Sequence, residues 1–167
     1  MSSNQTLVRD ALIVERYKYI QEKLKYLDSV LHTNISLFIK ILSAIIAVAT
    51  TAIGYNTPST LPSIEYIALV LTGSALIVLT MTLTFLAMTI SNLFAWFGYR
   101  HDETELLEKF GSGFTREKPS IKSFLTWQET WFIFVLTVLS IITLLVLNHT
   151  YAVSELVHNY LGQITSK

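Results

Sequence analysis

One stretch of the sequence constrains the fold most strongly: the 34 residues from Tyr66 to Tyr99 contain no charged side chain. A helix of that length would extend about 51 Å at about 1.5 Å per residue, whereas a bilayer core requires only about 20 residues. A second run, Ile41–Ser63, is also uncharged, and a third, Thr130–Ser154, is interrupted only by His149. We therefore predict an all-α integral membrane protein with three transmembrane helices, at about residues 35–55, 65–97 and 129–149.

The composition excludes several classes of protein. Only 14% of the residues are charged, against roughly 25% in a typical soluble domain. Lys+Arg and Asp+Glu number 12 each, so the chain lacks the basic excess of most nucleic-acid binders, and we expect no direct nucleic-acid partner. Cysteine is absent, which excludes disulfides, thiolate nucleophiles and cysteine-based zinc sites. We expect no cofactor.

The charges divide the chain into regions. Residues 1–34 read as an amphipathic helix that continues into the first span, residues 35–150 as the transmembrane domain with a polar connection at 99–126, and residues 151–167 as an interfacial tail. Basic residues that flank the spans lie in the N-terminal region and in this connection: Lys18, Lys23, Lys25, Arg100, Lys109, Arg116, Lys118 and Lys122. The positive-inside rule then places the N-terminus and the connection in the cytoplasm and the C-terminus outside.

The first helix carries a polar stripe along one side. At 100° per residue, eleven residues fall close to one line along the helix. They are Lys18, Glu22, Lys25, Ser29, His32, Ser36, Lys40, Ser43, Ala47, Thr50 and Gly54. In one interpretation the stripe is a packing face, since small and hydroxyl residues let membrane helices approach closely. In the other, Ser36–Gly54 line a water-filled path in an oligomer, with Lys40 as a charged ring.

The second helix repeats this pattern with Gly73, Thr80, Thr84 and Ser91 on one face. A lone three-helix monomer would bury two such faces poorly, so we expect a homo-oligomer. Candidate gating or sensing residues lie in the charged regions, where a cytoplasmic protein or a nucleotide signal would act. They are Lys18, Lys25, His32, Arg100 and Glu129.

No catalytic pattern is visible, and we predict that the protein is not an enzyme. His101, Glu105 and Glu108 share one helix face, and Asp102 and Glu103 adjoin them. Imidazole and carboxylates can bind divalent metals, but a solvated acidic face explains the pattern better, and we expect no metal site. HExxH, P-loop and GxSxG motifs are absent from the sequence.

The segment Glu15-Arg16-Tyr17-Lys18-Tyr19-Ile20, followed by an amphipathic helix leading into the first span, resembles small prokaryotic membrane effectors of anti-phage defence loci. These include SLATT-type effectors, which usually have two spans, and CRISPR-associated membrane accessory proteins; the resemblance covers about residues 10–55. It implies a cytoplasmically triggered homo-oligomer that depolarises or permeabilises the inner membrane. The alternative is a non-enzymatic membrane anchor or accessory subunit for a cytoplasmic partner protein.

Overall fold

The computed structural model describes residues 3–54, 61–111, 116 and 127–165. Within these ranges it contains four α-helices and no strand: α1 (Ser3–Gly54), α2 (Ile64–Phe110), α3 (Gln128–Asn148) and α4 (Thr150–Thr165). The first three are long and apolar enough to cross a membrane. The predicted all-α membrane fold is therefore confirmed.

The two longest helices extend well beyond a bilayer core. α1 has 52 residues and α2 has 47, so their lengths are about 78 and 70 Å at about 1.5 Å per residue. The prediction that the N-terminal amphipathic helix continues into the first span is confirmed. α2 continues past the predicted end at residue 97, so the first part of the connection 99–126 is helical. Most of its remainder, 112–115 and 117–126, lies outside the described residues.

The chain forms two compact units. The first unit comprises Met1–Asn34 and Met88–Phe132. In it, α1 buries Ile20, Leu24, Leu27 and Leu31, whose alternating spacing of four and three residues is the pattern of coiled-coil seams. In this unit α1 and α2 are antiparallel. Along α1, Gln21 precedes Leu27, but their partners on α2 come in the reverse order, Glu103 for Gln21 and Asn92 for Leu27.

The second unit comprises Ile35–Ala87 and Ile133–Lys167. Its core includes Phe38 of α1 and Phe85 of α2, whose rings meet edge to face with centroids 5.4 Å apart. Ile67 and Leu136 are fully buried. Many other large apolar side chains of this unit are exposed, as expected for helix surfaces that face lipid.

Specific polar contacts close one end of the second unit. The Ser63 hydroxyl accepts a hydrogen bond from the Tyr66 backbone N–H, which caps the start of α2. The Tyr66 hydroxyl donates to the Ala52 carbonyl at 3.3 Å. Nδ1 of His158, on α4, donates to the Pro62 carbonyl at 2.9 Å. The His158 contact attaches α4 to the segment that precedes α2. The position of α4 at the outer membrane surface stays a prediction.

Candidate functional site

The polar stripe of α1 is exposed over its whole length. All eleven of its residues, from Lys18 to Gly54, are exposed in the single chain. The opposite side of the helix contains the buried residues Leu27 and Phe38. The stripe is thus the face of α1 that the chain's own helices leave uncovered.

The polar groups of the stripe differ in how they are satisfied. The Thr50 hydroxyl donates to the carbonyls of Ile46 and Ala47 in its own helix, at 2.8 and 3.0 Å. Lys40 forms no ion pair with any residue that the structure describes. A hydroxyl can turn back to its own backbone, whereas an ammonium group near a bilayer core needs water, headgroups or a partner.

The small-residue face of α2 is exposed as well. Gly73, Thr80, Thr84 and Ser91 all lie on the uncovered side of the helix. A methyl group added at Gly73 would meet no atom within 4 Å, and the same holds at Gly54. Glycine inside a helix costs about 1 kcal/mol relative to alanine, and here no close approach within the chain offsets that cost.

Glu103 is the centre of a buried ionic cluster in the first unit. Its side chain has no exposed surface. Oε1 accepts hydrogen bonds from Gln21 of α1 at 2.7 Å and from Arg116 at 2.9 Å, while Oε2 accepts one from Arg100 at 2.6 Å. One carboxylate therefore joins α1, α2 and the connection that follows α2.

The cluster favours the charged form of Glu103. Burial by itself raises the pKa of this carboxyl, but the hydrogen bond and charge of Arg100, the hydrogen bond from Gln21 and the charge of Arg116 outweigh it. The net effect lowers the pKa below the ordinary value for glutamate. Two guanidinium groups against one carboxylate leave a net positive charge on these three residues.

The sequence analysis missed the role of Glu103, which it placed beside a solvated acidic face. The three residues of that face, His101, Glu105 and Glu108, are exposed as expected. A local signal was present, because Arg100 precedes Glu103 by three residues and the two share one side of a helix. No cluster suited to a metal ion occurs among the described residues.

Four of the five predicted sensing residues line one cavity in the first unit, with a volume of about 450 Å³. They are Lys25, His32, Arg100 and Glu129, and Trp96 and Trp127 also line it. Lys18 lies elsewhere and forms an exposed ion pair with Glu15 at 3.0 Å. Arg100 forms its ion pair with Glu103 and not with Glu129.

Comparisons with known protein families, with characterised proteins and with solved structures find no match to this chain. The resemblance to anti-phage membrane effectors therefore stays a prediction.

Proposed function

We propose that the protein is a homo-oligomeric membrane effector that permeabilises or depolarises the inner membrane when triggered from the cytoplasm, in anti-phage defence. One observation carries the proposal: the α1 stripe is exposed from end to end, including the positions that fall inside the first span. The defence setting rests on the resemblance of residues 10–55.

The stripe favours assembly into an oligomer because contact of its polar residues with lipid is energetically unfavourable. Its membrane part combines Lys40 with hydroxyl and small residues, and polar groups in spans usually face protein or water. The exposed glycine and hydroxyl face of α2 supplies a second surface suited to close helix packing. When copies of the chain pack through the small-residue face of α2, the α1 stripe is left to line a central path.

The stripe can be tested by placing bulk on it. Ser43→Leu and Lys40→Leu should each change the loss of membrane potential that follows regulated expression, read with a potential-sensitive dye. Ala44→Leu is the matched control, because Ala44 is also exposed but lies off the stripe. Depolarisation equal to wild type in both stripe variants, at equal protein levels, would remove the stripe from the mechanism.

A second candidate function, a membrane anchor for a cytoplasmic protein, is favoured by an apolar groove in the first unit. The groove has a volume of about 560 Å³ between the start of α1 and the end of α2, and its lining includes Val8, Leu12 and Phe110. Arg9 and Arg16 border it, so an amphipathic partner helix with acidic flanks would match it.

Anchoring predicts a result that differs from depolarisation. A photo-crosslinker placed at Leu12, a residue that is 66% exposed, should capture one stoichiometric partner. Leu12→Glu should release that partner from the membrane. Expression of the chain alone should leave the membrane potential unchanged. Depolarisation by the purified chain in liposomes would favour the effector function instead.

A further inference from the structure

The cavity lined by Lys25, Arg100 and Glu129 has the size and chemistry of a small-molecule site. Its volume is about 450 Å³, within the range of about 300–1,000 Å³ that is typical of ligand pockets. All its lining residues belong to the first unit. They come from α1, the end of α2 and the start of α3, together with Arg116 and Trp127. Several elements therefore converge on one space.

The two arginines of the cavity are held in place by Glu103. Arg100 and Arg116 each direct Nη1 to Glu103, and no other described carboxylate forms an ion pair with either. Each guanidinium group carries five N–H donors, so donors remain for a ligand. Lys25 adds an exposed ammonium group that has no ion pair among the described residues. Together they suit a phosphate ester.

The cavity also contains carboxylates, which a site for a simple anion would avoid. Asp28 and Glu129 line it, and Asp28 is exposed without an ion pair among the described residues. With Glu103 behind the arginines, three carboxylates balance three cations. The ligand that matches this arrangement carries both a phosphate and a cationic group.

The tryptophans of the cavity help to fix Arg100 and are typical of a site near a membrane surface. The rings of Trp96 and Trp127 lie 4.8 Å apart, centroid to centroid, and both residues line the cavity. The Arg100 guanidinium lies over the Trp96 ring, 5.2 Å from its centroid, a cation–π contact that holds this arginine in place. Tryptophans also concentrate where a membrane meets water. Trp96 lies at the predicted end of the second span, and Trp127 lies just before the third.

We propose that this cavity binds a phosphate ester joined by a short chain to a primary ammonium group, the chemistry of a phosphatidylethanolamine head group and of soluble phosphoethanolamine. Arg100, Arg116 and Lys25 hold the phosphate. Asp28 and Glu129 accept hydrogen bonds from the ammonium group. The proposal is independent of channel activity.

The test uses the full chain, purified in detergent and stripped of lipid, with ligand binding counted by native mass spectrometry. Phosphatidylethanolamine should bind at least about threefold more tightly than phosphatidylglycerol, which carries the same phosphate without the ammonium group. Phosphoethanolamine is added as a competitor to identify the source. Competition at low millimolar concentration indicates a soluble ligand, and retention of the lipid indicates a lipid head group.

Two exposed side chains allow variants that leave the buried cluster intact. Asp28→Asn should weaken binding of phosphatidylethanolamine and strengthen binding of phosphatidylglycerol, whereas Lys25→Gln should weaken both by about threefold. Lys18→Gln, a lysine of the same helix outside the cavity, should change neither. The proposal is overturned if wild type binds the two lipids equally and Asp28→Asn changes nothing, or if none of the three probes binds.

Discussion

In the first unit, buried amide and carboxylate side chains reach from one helix to another: Asn92 donates to the Leu27 carbonyl, and Glu103 accepts from Gln21. In the second unit, buried hydroxyls turn back to their own helix. The examples are Thr82 to Val78, Ser140 to Leu136, Thr143 to Leu139 and Ser154 to Thr150, each a donor to a carbonyl four residues earlier.

The difference matches the predicted surroundings of each unit, water for the first and lipid for the second. Beside water, a buried polar group that bonds to a distant residue fixes which helices pair and in what register. Between apolar spans, a hydroxyl that is hydrogen-bonded to its own helix leaves no unsatisfied polar group facing lipid. Pairing in the second unit then rests on packing, as between Phe38 and Phe85. Deletion of polar groups should therefore damage the first unit more than the second.

Glu103→Gln should produce the largest effect. It leaves two guanidinium groups beside a neutral amide in a buried cluster, and loss of one partner of a buried ion pair costs about 3 kcal/mol or more. Amide hydrogen exchange over residues 13–31 of α1 should accelerate strongly. Glu105→Gln is the control, since its pair with Lys109 is exposed and such pairs contribute about 1 kcal/mol or less. Equal exchange in the two variants would contradict the comparison.

Acidification should weaken the first unit in the same region. The pKa of Glu103 is lower in the folded than in the unfolded chain. Burial raises this pKa, but Arg100, Gln21 and Arg116 together lower it by more. The ionised Glu103 carboxylate therefore contributes fully to folding stability above the unfolded-state pKa of about 4.3. This contribution is lost as the pH falls through the lower folded-state pKa. Exchange over residues 13–31 should rise on acidification, after correction for intrinsic rates, and Glu103→Gln should flatten this dependence.

Asn92→Leu should have an intermediate effect. The amide donates to the Leu27 carbonyl at 3.2 Å and is 8% exposed, and a hydrogen bond of this kind contributes about 1 kcal/mol. Faster exchange near Leu27, with little change in the second unit, is the expected result. A uniform change across both units would show that Asn92 acts through general packing.

Thr82→Val should have the smallest effect. The Thr82 hydroxyl is fully buried but bonds only to the Val78 carbonyl of its own helix, at 2.6 Å, and valine nearly preserves its shape. We expect a change below about 0.5 kcal/mol in unfolding by a denaturing detergent. A loss as large as that of Asn92→Leu would abolish the distinction between the two units.

The sequence was sufficient for features that repeat along a helix. Uncharged runs predicted three spans, and helical periodicity predicted the long α1 and the alignment of the stripe residues along one side of it. The helical continuation of α2 to Phe110 was open, because charged residues after Tyr99 are compatible with either a helix or a loop. The burial of Glu103 could not be read, because Gln21 lies 82 residues away and Arg116 lies 13 residues away. Only tertiary pairing brings those donors to one carboxylate.

The donors to Glu103 are not equally protected. The Arg100 side chain is 19% exposed, whereas that of Arg116 is 48% exposed. Screening by ions acts first on the partner that faces solvent, so added salt should loosen Arg116 before it disturbs Arg100 or Gln21. The cluster can therefore open in two steps. The contact between Arg116 and Glu103 is lost first, while the bonds of Glu103 to Gln21 and Arg100 still connect α1 and α2.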